Sequence, residues 1–156
     1  MEQSLKLTYR AAQHDDVSEL VAILADDQLG TTREDPSPPL RAGYLQAFQS
    51  IDSDPNNELI VVTGDGNLIG MLQLTYIPYL TYGGSWRCLI EGVRIHSDYR
   101  GKGLGKRFLE YAIRRAQQRQ CRLVQLTSDK RRTDALRFYE SLGFKASHEG
   151  FKLHLR

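Results

Sequence analysis

The chain has 156 residues and a net charge of only +2, from 21 Lys and Arg against 19 Asp and Glu. That length suits a single domain over residues 1–156, able to bury about two-thirds of the surface its unfolded chain exposes. No apolar stretch approaches the roughly twenty residues of a membrane helix, residues 1–10 lack a signal-peptide pattern, and no strongly basic surface with stacking aromatics suggests nucleic acid; a cytoplasmic protein without membrane or nucleic-acid partners is expected.

Residues 5–10 alternate and predict a first strand. Asp16-x-x-Glu19 resembles a capping box ahead of Val17, Leu20, Val21, Ile23 and Leu24, whose spacing predicts a helix to about Asp27. Residues 28–39, rich in charge, Thr and Pro, read as a loop. A second helix is expected to start at 37–39, run through Tyr44, Leu45, Phe48 and Ile51, and stop before Pro55. Two apolar, β-branched runs, 58–63 and 67–76, flank Gly64-Asp65-Gly66 and predict a hairpin. An aromatic connection over 78–85 leads to a strand starting near Trp86 and carrying Glu91. After a long helix from Leu104 to about Arg119, residues 123–127 read as a buried strand, parallel to the Glu91 strand because a helix crosses over between them. A last helix over 133–142 ends at Gly143, and 144–155 alternate around Glu149-Gly150 as a terminal hairpin would. Cys88 and Cys121 lack metal spacing and read as buried thiols suited to a reducing compartment; no metal site is expected.

Arg100-Gly101-Lys102-Gly103-Leu104-Gly105 joins the Glu91 strand to the long helix. Three glycines in five residues let backbone N–H groups approach a ligand, and a helix opening there adds positive partial charge, so an anionic ligand is the first expectation. A flexible strand-to-helix connection would use the same residues. Charge distribution is consistent with the first reading: residues 1–60 carry four basic and eleven acidic groups, −7, and the rest seventeen and eight, +9. A basic second half suits a polyphosphorylated cofactor, and an acidic first half a cationic amine. Arg114, Arg115, Arg119 and Arg122 read as solvated helix-surface charges.

Arg-x-x-Gly-x-Gly after an acid-bearing strand, followed by Ala135-x-x-x-Tyr139 and Leu142-Gly143-Phe144, resembles the GNAT superfamily of acyl-CoA N-acyltransferases. The resemblance implies an α/β (α+β) fold: a mixed, mostly antiparallel twisted sheet with a splayed parallel central pair and helices on both faces. It implies acetyl-CoA as cofactor, with the diphosphate on N–H groups of Arg100, Gly101, Lys102, Gly103, Leu104, Gly105 and Lys106, and Arg100 and Lys102 as charge partners. Backbone of Val93, Arg94 and Ile95 would meet the thioester end, at a bulge compatible with Gly92, although a packing need would also explain that glycine. Glu91 would be the base that deprotonates the amine, its pKa raised by burial in an apolar strand, the alternative being an acid facing solvent on the strand's polar side; Tyr139 would be the acid that protonates the leaving thiolate, the alternative being a tyrosine buried for packing. The family often has Asn three residues before the motif alanine, contacting the cofactor arm; here Arg132 occupies that place, a departure from the pattern of that contact, and the run Thr127-Ser128-Asp129-Lys130-Arg131-Arg132-Thr133-Asp134, with Arg137-Phe138-Tyr139 and Ser147-His148, resembles the aminoalkylphosphonate acetyltransferase branch without fixing a substrate.

In such proteins the acceptor site lies among the first two helices, their connection and the loop before the acid-bearing strand. Here that region offers Asp26, Asp27, Thr32, Arg33 and Glu34, with Tyr76, Tyr79, Tyr82 and Arg87. A small-molecule amine is the leading acceptor, attacking directly in a ternary complex. Protein N-terminal or lysine acetylation, and a non-catalytic acyl-CoA-binding regulatory module, are the alternatives. Family members often pair, so a homodimer is plausible.

Overall fold

The computed structural model describes residues 4–156. Five strands, β1 (Leu7–Ala11), β2 (Asn57–Gly64), β3 (Asn67–Tyr79), β4 (Ser85–Ile95) and β5 (Leu123–Leu126), form one sheet in the order β1-β2-β3-β4-β5. Four helices accompany them: α1 (Val17–Ala25), α2 (Ala42–Ser53), α3 (Leu104–Gln118) and α4 (Thr133–Ser141). The architecture is the α/β mixed sheet expected. The chain folds as two compact units, one ending at Gln125 and one formed by Leu126–Arg156.

In the first unit, β1 to β4 are antiparallel neighbours. Gly64 pairs with Asn67 across Asp65-Gly66, both at positive φ (49° and 87°), so the predicted hairpin closes with a two-residue turn of the kind that matches strand twist. The backbone N–H of Arg122 donates to Trp86 O at 2.7 Å, setting the start of β5 beside the start of β4. Period-2 alternation then sorts the side chains. Arg10, Val61, Met71 and Gln73 share the face covered by α1 and α2, where Val17, Leu20, Val21 and Phe48 are buried with Val61 and Met71. Tyr9, Leu74, Tyr76 and Cys88 share the other face; Tyr9 stacks at 4.3 Å on Tyr111 of α3, whose Leu104, Phe108, Leu109, Ala112 and Ala116 are buried. Cover on both sides explains why residues 60–62 are buried without alternation.

Several expectations are corrected. The capping box expected from Asp16 and Glu19 does not form: Asp16 instead closes one with Gln13 a turn earlier, accepting its N–H (2.7 Å), and accepts the Arg10 guanidinium (2.7 and 3.0 Å). A bidentate guanidinium outcompetes a helix N–H for the carboxylate. The second helix starts at Ala42, because Asp35 holds Ser37 (3.1 Å) and Arg41 (3.1 Å) and keeps that stretch as a loop. Strand β3 continues to Tyr79 through pairing with Ser85.

In the second unit, Gly143 at φ 94° ends α4 as predicted, its N–H donating to Glu140 O at 3.0 Å. The terminal hairpin is absent: no strand forms among residues 143–156. A lone two-stranded ribbon is marginal without a covering layer, and Phe151, Leu153 and Leu155 have none, being 94, 86 and 89% exposed.

Candidate active site

After β4 the chain makes a short 3-10 turn, Ser97–Tyr99, and enters the glycine turn. Gly101 and Gly103 have φ of 76° and 74°. Side chains strain such a backbone by about 1–2 kcal/mol, whereas a Cβ at either place would meet nothing within 4 Å; conformation rather than crowding requires glycine. No side chain caps the first turn of α3, and residues 101–103 are exposed. The first N–H donors of a fifteen-residue helix are therefore left for a ligand, together with the positive end of its dipole. Phosphate oxygens fit that arrangement, so the residues present suit a diphosphate-bearing cofactor.

The two expected charge partners differ. Lys102 lies with its ammonium 5.6 Å from the Tyr99 ring centre on an exposed turn. Arg100 turns back instead, donating from Nε to Ile95 O (2.9 Å) and from Nη2 to Asp26 O (2.7 Å). It staples the end of β4 to the end of α1. Asp26 completes the staple by accepting the Ser97 N–H at 3.1 Å, and Ser97 holds its carboxyl below the usual range.

Upstream, Gln73 pairs with Glu91 but Met71 pairs with Arg94, so Leu72 alone opposes Gly92 and Val93. This is a bulge in β4, with Gly92 at φ 62°. Residues three apart on a regular strand point to opposite faces. The extra residue instead puts Glu91 and Arg94 on the same face, that of α1 and α2, where Arg94 Nε lies 3.1 Å from Asp27 Oδ2. A bulge also leaves a residue outside the ladder, which is what a backbone donor to a reacting carbonyl needs. Glu91 is exposed, against the expected burial. Apolar Cys88 and Ile90 belong to the α3 face; Glu91 alternates away from them, and Gly92 beside it has no side chain to cover it.

In the second unit Tyr139 is half-buried, its ring 5.3 Å from that of Phe138 and 6.0 Å from that of Phe144. Lys130 pairs with Glu149 at 3.0 Å. Asp129 accepts the Arg131 N–H (2.9 Å) and guanidinium (2.7 Å), and its carboxyl is held low by Arg131. Arg132 is half-buried immediately before α4.

The expected acceptor region divides. The register places Asp26 to Glu34 at the sheet end that holds the glycine turn, and Tyr76, Tyr79, Tyr82 and Arg87 toward the other end. The eleven residues of β4 separate the two by about 30 Å. At the first end, two of the acids that could have met an ammonium have partners: Asp27 holds Arg94 and the Gly30 N–H (2.5 Å), and Glu34 accepts the Tyr44 hydroxyl (2.8 Å). Toward the second end, Tyr76 is 2% exposed and donates to Glu58 at 2.9 Å.

Glu58 also pairs with Arg115, half-buried between β2 and α3. The Arg119 guanidinium lies 4.1 Å over the Tyr76 ring and that of Arg122 4.8 Å over Tyr82. Three arginines expected to be solvated thus have structural partners. Glu58 and Arg115 stand 57 positions apart, and only an acid opening an apolar strand hinted at the pair. Burial pushes the nearby Cys88 thiol up to about 12. A cleft of about 370 Å³ beside Phe48, Asp52, Glu58, Tyr111 and Arg115 lies at this end, away from the glycine turn.

Among the described residues no helix is long and apolar enough to cross a membrane. Residues 19–144 match the model of the Acetyltransferase (GNAT) family. The chain is 30% identical over 108 residues to aminoalkylphosphonate N-acetyltransferase of Salmonella typhimurium, covering 69% of this chain and 70% of that protein. It is 34% identical over 90 residues to glucosamine 6-phosphate N-acetyltransferase of Trypanosoma brucei brucei, covering 58% and 59%. Among solved structures, a transcriptional regulator from Bacillus halodurans C-125 is 55% identical, with a TM-score of 0.93 over 96% of this chain and 100% of that one. The chain belongs to the GNAT family, and it is an N-acetyltransferase that uses acetyl-CoA.

Proposed function

We propose that the chain is one catalytic domain that moves the acetyl group of acetyl-CoA to the primary amine of a small molecule, by direct attack in a ternary complex. The observation that carries this reading is the uncapped start of α3 beneath Gly101 and Gly103, beside a bulged β4. Two features support a small acceptor. The α1–α2 connection is tied to β4 by Arg94–Asp27, Arg100 and Ser97, which suits a bounded pocket better than a groove for extended peptide. Two relatives are named for small amines that carry a phosphonyl or phosphoryl group, and exposed Arg33 lies on that same connection.

Acetyl-CoA supplies the activated carbonyl. In this reading N–H groups of residues 100–106 hold its diphosphate, and backbone at Val93, Arg94 and Ile95 receives the thioester end. Glu91, exposed ahead of the bulge, takes a proton from the acceptor ammonium, directly or through water. The Tyr139 hydroxyl gives a proton to the departing thiolate, a role taken from the motif match. Neither Cys88 nor Cys121 is a nucleophile. Free thiols at both positions suit the cytoplasm.

The test is release of the free thiol over a panel of aminoalkylphosphonates, amino-sugar phosphates, neutral amines and peptides. Turnover concentrated in the phosphonate and phosphate arms is expected; turnover confined to peptides would overturn the small-molecule assignment.

A further inference from the structure

The bulge in β4 frees a backbone group and also turns a cation inward. Without the extra residue, Arg94 would share the α3 face of Cys88 and Ile90; with it, Arg94 stands opposite Met71 on the face of α1 and α2, together with Glu91. Its side chain is only 16% exposed there. The guanidinium holds two groups at once: Nε lies 3.1 Å from Asp27 Oδ2, and Nη1 donates to the Val93 carbonyl at 2.8 Å. Asp27 in turn anchors the connection that leaves α1. Its Oδ1 accepts the Gly30 N–H at 2.5 Å, and its own carbonyl accepts the Thr31 N–H at 2.9 Å. A Cβ on Gly30 would run into the Leu24 carbonyl, so this turn packs directly on the end of α1.

Such an ion pair gains little stability, because desolvation of both charges offsets most of their attraction, and an apolar pair of similar volume would join α1 to β4 as well. An apolar pair would lack a donor for the Val93 carbonyl. A bulge takes a residue out of the ladder, and so out of the bonds that fix a peptide's orientation. The peptide joining Val93 to Arg94 is planar and trans, so a hydrogen bond that holds its C=O also sets the direction of its N–H, on the opposite side. Arg94 therefore supplies from a side chain the restraint that the bulge removes.

We propose that Arg94 is a positioning residue for acetyl transfer: its guanidinium, held by Asp27, aims the Arg94 N–H at the acetyl carbonyl of the bound thioester, and ties the acceptor's connection, through Asp27 and Gly30, to the same peptide. This rests on the reading above, in which backbone at Val93 to Ile95 receives the thioester end. Negative charge grows on the carbonyl oxygen as the amine attacks, so an aligned donor stabilises the transition state more than the ground state. A group displaced by about 1 Å forfeits up to about 100-fold in rate. The diphosphate is held elsewhere, at the start of α3, so cofactor binding survives the loss of Arg94 while turnover falls.

The test compares coenzyme A with acetyl-CoA in ¹⁵N–¹H spectra of the full chain, since the difference between the two ligands isolates the acetyl group and needs no acceptor. The Arg94 amide is expected to move between the two ligands in the native chain. In Arg94→Met, which keeps the apolar length but not the donors, that difference should fall to less than half, with the shifts of Gly101 to Lys106 unchanged. In thiol release with the best amine, the same variant should lower kcat by about 30- to 100-fold with the KM for acetyl-CoA within about threefold; a merely structural role would move both or neither. Arg94→Lys keeps the charge beside Asp27 without the fork that also reaches Val93; it should behave the same way, and it decides the matter if Arg94→Met fails to fold. A native Arg94 amide indifferent to the acetyl group, a difference kept whole in the variants, or an undiminished kcat would overturn the proposal and leave cofactor binding standing. No shift at Gly101 to Lys106 with either ligand would overturn both.

Discussion

The two ends of the sheet hold polar groups in opposite ways. Where β4 ends, the groups that matter are backbone ones left open: an uncapped helix start, two exposed positive-φ glycines, and a bulge that breaks the ladder. Toward the other end, polar side chains are plentiful and already engaged, with Glu58 holding both Arg115 and Tyr76, and Arg119 stacked on Tyr76. A tyrosine, a carboxylate, an arginine and a thiol near a cleft resemble a catalytic centre more than a few glycines do. Yet satisfied groups stabilise, and open donors bind. The end with fewer reactive side chains is the one with capacity for a ligand.

Breaking the open end should be felt in function. Glu91→Gln is expected to lower kcat by about 100- to 1,000-fold, the usual weight of a positioned general base, while leaving the thermal midpoint unchanged, since the side chain is exposed. Steady-state kinetics beside a melting curve reads both, and undiminished turnover would remove Glu91 from that role. Gly103→Val forces a β-branched residue to φ 74° and re-aims the first N–H groups of α3. Calorimetry should show acetyl-CoA affinity about 30- to 100-fold weaker, whereas Arg87→Ala at the far end should leave it within about twofold.

Breaking the closed end should be felt in stability. Glu58→Ala strands the Arg115 guanidinium and the buried Tyr76 hydroxyl. Because both ion-pair partners are partly exposed, at 32% and 21%, the cost should be about 2 kcal/mol rather than the larger value of a fully buried pair. Urea denaturation measures it, and acetyl-CoA affinity should stay within about twofold. A smaller effect separates the α1 face from both ends. The Arg10 guanidinium, aided by the Gln13 N–H, holds the Asp16 carboxyl below its ordinary value. The stability this confers is whole above the unfolded value of about 3.9 and is lost as pH falls through the folded value. Asp16→Asn should therefore show a shallower loss of urea midpoint as pH falls below about 4.

Much of this was legible in the sequence because it depends on local patterning. Gly64-Asp65-Gly66 dictated its hairpin, Gly143 its helix end, and the glycine turn before an apolar helix its uncapped start. Gly92 was compatible with a bulge and equally with a packing need, and alternation counted from Cys88 and Ile90 left both a buried and a solvent-facing Glu91 open. Contacts between distant positions were not legible: Glu58 with Arg115, Arg94 with Asp27, and the stacking of Arg119 and Arg122 on tyrosines all depend on register and on which helix covers which face. The tail's alternation announced a strand, yet no strand forms among residues 143–156.

The most direct test places the ligand at one end or the other. In a two-dimensional ¹⁵N–¹H NMR titration with coenzyme A, the amide signals of Gly101 to Lys106 should move most, those of Gly92 and Val93 next, and those of Tyr79 to Arg87 hardly at all. Shifts concentrated at the tyrosine-rich end, or none at the glycine turn under saturating ligand, would contradict the account.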